Sequence, residues 1–153
     1  MRKCMVVFMA LAVLAAGGAA WAADTNTLTV SASVTPTCKF SSTTSTLNFG
    51  ALDPSVGGNV NGSTTTQFWC TKGVTTDDVT ASLGQNPAGT VRQMRDSAST
   101  DLIPYSLTLT KAGTNAGPAS SRTLTIAGTV LAADYTAKSA GSYSDTVTLT
   151  ISP

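Results

Sequence analysis

Residues 27–35 read Thr-Leu-Thr-Val-Ser-Ala-Ser-Val-Thr, so that Leu28, Val30, Ala32 and Val34 alternate without error with hydroxyl residues. A period of two over this length predicts a half-buried β-strand with one apolar edge. Pro36 stops it, because proline has no N–H to give to a ladder and holds the residue before it extended. The other end of the chain repeats the pattern: Val147, Leu149 and Ile151 alternate with Thr146, Thr148 and Thr150 before Pro153. A final strand from Tyr143 to Ile151 is expected, with nothing after it to cover its free edge, and such an apolar edge is a site for pairing with another chain.

Between these ends the same period recurs. Short extended segments are expected through Cys38 and Phe40, over Thr46–Gly50, and over Thr64–Cys70 with Thr64, Thr66, Phe68 and Cys70 on one face. Further strands are expected over Val79–Leu83, Val91–Met94, Leu102–Thr110 and Thr123–Leu131, parted by Gly, Pro, Asn and Asp clusters. A polar loop should run through Pro54, Gly57, Gly58 and Gly62, and Pro104 suggests an edge or a bulge. Many short strands at regular spacing, with no helical period and no internal repeat, predict an all-β sandwich. About a third of residues 23–153 are Ser or Thr, which favour strands and turns, while strong helix formers are scarce.

Met1-Arg2-Lys3 followed by an uncharged apolar run from Met5 to Ala16 has the form of a signal peptide, and Ala20-Trp21-Ala22 offers small residues for cleavage after Ala22. A membrane span needs about 20 apolar residues, and this run breaks at Gly17-Gly18. Residues 1–22 are therefore read as a signal peptide that carries Cys4 away and exports the chain. The 131 residues that remain suit one domain. They hold seven Lys or Arg against eight Asp, a near balance that offers no field for nucleic acid. Two cysteines remain, Cys38 and Cys70, and an even pair in an exported chain predicts a disulfide.

Taken together, Thr37-Cys38-Lys39-Phe40, Leu47-Asn48-Phe49-Gly50, Cys70 at the end of an alternating strand, Leu102-Ile103-Pro104-Tyr105 and Ala140-Gly-Ser-Tyr-Ser-Asp-Thr-Val147 resemble a spore coat protein U domain. That family includes pilin subunits of archaic chaperone/usher pili. The resemblance covers essentially all of residues 23–153, and departs from the family in ending on Ile151-Ser152-Pro153 without a terminal aromatic residue.

The resemblance implies an immunoglobulin-like sandwich that lacks its last strand. The gap would be filled first by a periplasmic chaperone and then by the N-terminal strand of the next subunit, at an outer-membrane usher. It divides the chain into a signal peptide at 1–22, a donor-strand segment at 23–36 and a pilin domain at 37–153. Leu28, Val30, Ala32 and Val34 become donor side chains, and Val147, Leu149 and Ile151 belong to the strand that borders the acceptor groove. Only Thr35, Pro36 and Thr37 separate donor from Cys38, a reach of about 10 Å, so the donor is expected to serve another copy in an open head-to-tail fibre.

The chain has neither His nor Glu, so the commonest general bases and metal ligands are missing, and no catalytic residue, metal or cofactor is expected. Asp77-Asp78 is too small a carboxylate set for calcium. Asn61-Gly62-Ser63 reads as a turn before it reads as a glycosylation site, and Asp145 as a turn cap. Phe68 is expected in the core and Trp69 on the opposite face. The function these readings favour is a structural pilus subunit supporting adhesion or biofilm formation, with other pilin subunits as partners. A secreted coat or matrix protein of the same fold and a monomeric ligand-binding sandwich are the alternatives.

Overall fold

The computed structural model describes residues 22–75 and 77–153. The signal peptide call on residues 1–22 thus lies, but for Ala22, outside the described residues. The chain divides into two units, 1–33 and 34–153.

The larger unit is built on β1 (Cys38–Phe40), β2 (Val60–Cys70), β3 (Asp78–Ala81), β4 (Arg92–Asp96), β5 (Leu102–Ala112), β6 (Arg122–Val130), a single helical turn α1 (Ala132–Tyr135), β7 (Tyr143–Ser144) and β8 (Leu149–Ser152). One antiparallel sheet runs β1-β2-β6-β5-β4-β7, and a second pairs β3 with β8. The expected all-β, sandwich-like architecture is present.

Alternation decides which face of the large sheet is covered. Register sets Thr64 opposite Ile126, Thr66 opposite Leu124, and Ile126 opposite Leu109, so these side chains share one face. Phe68, Cys70, Leu124 and Ile126 are buried there, with Val79 of β3 and Leu149 and Ile151 of β8 packed on them. A second cluster of Ile103, Tyr105, Val130 and Tyr135 is covered by Phe49, Leu52 and Val147. Phe68 is in the core as expected, and Trp69 on the other face is half-buried.

Cys38 and Cys70 are directly opposite in the β1–β2 register and form the expected disulfide, closing a loop of sequence separation 32. Close by, Asp77 accepts hydrogen bonds from Arg122 and Lys111, and the Arg122 guanidinium lies 5.1 Å from the Phe68 ring centroid. Asp77 is thus a buried ion-pair partner, a role its sequence context did not suggest.

Several expectations are corrected. Gly62, expected in a loop, lies inside β2, as do Asn61 and Ser63. Thr46–Gly50 pairs with no strand; the Asn48 side chain accepts from the Gly50 N–H at 2.8 Å and Gly50 turns at φ +73. Pro104 lies within β5, but in the part paired with β4 alone, since the β6 ladder begins at Ser106. One turn of helix follows β6 where none was expected. The single strand expected over Tyr143–Ile151 is two: β7 joins the large sheet beside β4 and β8 joins β3, with residues 145–148 crossing between layers. A strand cannot stay paired in one sheet while it changes layers.

Residues 22–37 carry no strand, and Leu28, Val30 and Val34 are each 83% exposed. The half-buried strand expected at 27–35 is therefore not formed within the chain. Its alternation is that of a strand, but a strand needs a neighbouring edge to supply hydrogen bonds and an apolar face to cover.

Candidate functional site

Among the described residues, both layers end in an edge that no strand covers. β1 is the outer strand of the large sheet, and β8 has β3 on one side only. These edges face a groove of about 960 Å³, whose walls are residues 38–49 and 143–151 and whose floor includes Thr64, Thr66, Leu107 and Ile126.

The β8 wall presents more than side chains. Thr148 directs its backbone to the β3 side, its N–H donating to Ser82 Oγ and its carbonyl accepting from the Ser82 N–H, both at 2.9 Å. In an antiparallel ladder successive residues point their backbone groups to opposite sides, so Leu149 and Ile151 direct theirs away from β3, along the open edge. Val147, Leu149 and Ile151 also line the groove with their side chains half-buried. The wall thus combines free main-chain donors and acceptors with an apolar row.

The opposite wall depends on two glycines. Gly62 and Gly128 are directly opposite in the β2–β6 register, and Leu47, Asn48 and Phe49 lie across them. A Cβ at Gly128 would stand 2.8 Å from Phe49 Cζ and 3.0 Å from Leu47 Cδ2, and one at Gly62 would stand 3.0 Å from the Asn48 carbonyl oxygen. Two glycines within strand-forming runs mark the close approach of another segment. Gly62 falls in a segment expected as a loop, whereas Gly128 falls within the expected strand Thr123–Leu131.

Asp145 fixes the crossing between β7 and β8. Its carboxylate accepts from the Gln85 and Thr146 backbone N–H groups at 2.8 Å each and from the Tyr105 hydroxyl at 2.6 Å. Gly84 sits against it at φ +81, where any Cβ would collide with the carboxylate. Burial pushes the Tyr105 phenol well above its ordinary value of 10, and its hydrogen bond to Asp145 and that residue's charge push it further. Tyr105 therefore remains a donor. The turn-cap role expected of Asp145 is present, and it extends to holding a groove-lining tyrosine.

The sequence matches the Spore Coat Protein U domain over residues 24–150, nearly all of the chain after its first two dozen residues. The chain belongs to the Spore Coat Protein U domain family. Members are structural subunits of the pilus and coat type, a description that suits a domain with a groove lined by an apolar row. No curated protein matches this spore coat protein U chain.

Of the residues expected at the site, Val147, Leu149 and Ile151 lie together along one groove wall. Leu28, Val30 and Val34 stand exposed on a segment without secondary structure, as does Ala32. Leu47, Phe49, Met94, Tyr105 and Ile126 were not anticipated as groove residues. Met94, Tyr105 and Ile126 come from three neighbouring strands of the large sheet, and Leu47 and Phe49 from the segment laid across it, so they converge only in the folded chain.

Proposed function

We propose that this protein is a structural subunit of a surface pilus, assembled by donor-strand exchange along the chaperone/usher pathway and supporting adhesion or biofilm formation. In this reading the domain is an immunoglobulin-like sandwich lacking one strand. Residues 1–22 direct export to the periplasm, a chaperone occupies the groove there, and the usher hands it on to segment 23–36 of the next subunit.

The observation that carries the proposal is the groove between the unpaired edges of β1 and β8. An extended segment entering it gains main-chain hydrogen bonds to an open edge, while alternate side chains fill the apolar row, which is strand addition. Leu28, Val30, Ala32 and Val34 supply that alternation from an exposed segment. Full burial of one Val or Leu contributes roughly 1.5 to 3 kcal/mol, so several such positions make a long-lived joint. The short linker at Thr35–Thr37 directs the donor to another copy.

Deletion of Ala23–Thr35 tests the reading. The shortened subunit should still accept a donor from the full-length chain but should give none, so that adding it to growing fibres terminates them. Fibres formed by the shortened subunit alone would refute strand donation and favour the coat or matrix reading.

A further inference from the structure

We propose that Asp145 sets the register of the incoming strand, which lies antiparallel to residues 143–151 with Ala32 seated over the Asp145–Tyr105 pair. The proposal deepens the strand-donation reading and rests on it.

Along this wall the half-buried positions are Tyr143, Asp145, Val147, Leu149 and Ile151. Four of the five offer apolar surface. Asp145 alone carries a charge, and its carboxylate is already occupied by the Tyr105 hydroxyl and two backbone N–H groups. A branched side chain pressed onto it would strip water from a carboxylate without offering a hydrogen bond, which is costly. A methyl group covers least.

The donor row contains one such small residue. Opposed positions in an antiparallel pair step through the two strands in opposite directions, with side chains of each opposed pair on the same face. Setting Ala32 over Asp145 then sets Val34 against Tyr143, Val30 against Val147 and Leu28 against Leu149, so every branched donor residue meets an apolar partner. A shift of two residues toward the chain terminus sets Val34 over the carboxylate and Leu28 against Ile151. Parallel placements that keep all four donor residues on the wall set Leu28 or Val30 over Asp145.

Cysteine trapping between two full-length mature chains tests this. One chain carries Leu28→Cys or Val30→Cys and the other Val147→Cys or Leu149→Cys, and cross-linked dimers are read on non-reducing gels. Links from position 30 to 147 and from 28 to 149 are expected. Links from 30 to 149 or from 28 to 147 would overturn the register while leaving strand donation intact. Absence of links in all four combinations would overturn donation itself, and the register with it. Independently, Ala32→Leu should slow assembly about tenfold or more, whereas Val30→Leu should assemble within about threefold of wild type. Equal assembly by Ala32→Leu and wild type would refute the role of Asp145. Both substitutions lie on the exposed segment, so the folding of the larger unit is not at stake.

Discussion

Val30→Asp separates the two lives of the N-terminal segment. In the single chain Val30 is 83% exposed and in no strand, so an aspartate there leaves the melting temperature of the subunit essentially unchanged; substitutions at such positions usually stay within about 0.5 kcal/mol. In a joint the same side chain would be buried among apolar partners. Loss of the valine then removes roughly 1.5 to 3 kcal/mol, and desolvating an unpaired carboxylate adds at least about as much again. A combined loss of about 3 to 6 kcal/mol corresponds to roughly a hundredfold to ten-thousandfold weaker joint. The assay is paired: thermal melting by circular dichroism for the subunit, and size-exclusion chromatography for assembly. The variant should melt with wild type, fail to extend fibres and still accept a wild-type donor. Wild-type assembly by Val30→Asp would refute burial of position 30, and a lowered melting temperature would refute its exposure in the free subunit.

Gly128→Val should destabilise the subunit by about 1 to 3 kcal/mol, the usual cost of overpacking, because the new side chain meets Phe49 and Leu47 at van der Waals distance or closer; denaturant unfolding measures this, and donor binding should weaken with it as the Leu47–Phe49 wall is displaced. Replacing both Cys38 and Cys70 with serine should cost roughly 3 to 4 kcal/mol for a loop of this length, read as a lower denaturation midpoint under oxidising conditions and none under reducing ones. Alkali should weaken the fold through Tyr105 and Tyr143, both raised above their ordinary value of 10 chiefly by burial. Because the fold favours the neutral phenol, that contribution is complete below pH 10 and is lost as pH rises above it. Unfolding free energies at pH 9 and pH 11 should differ accordingly, and Tyr105→Phe should reduce the difference.

Local pattern made much of this protein legible. Alternation along Thr64–Cys70 put Phe68 and Cys70 on the buried face, and the pair of cysteines, in a chain whose start reads as an export signal, predicted the bond between β1 and β2. Both follow from short-range rules, the period of a strand and the chemistry of a thiol. The roles of Gly62 and Gly128 were less legible, because a glycine within a strand signals close approach without naming what approaches. Asp77 gave no sign of its ion pair, since Arg122 and Lys111 reach it from distant strands.

The alternating segment at 27–35 shows where the boundary falls. By itself the sequence determined that Leu28, Val30, Ala32 and Val34 would share one edge of a strand, because period two is a property of the backbone. Whether that edge found a partner within the chain was decided by tertiary structure, in which those side chains stand exposed and a groove lies open between β1 and β8. The same holds at residues 143–151, which alternate as one strand but divide between two sheets at Asp145. Hydrogen bonds to Gln85 and Tyr105, far apart in sequence, hold that crossing, and no local rule foretells contacts made only when two layers stack.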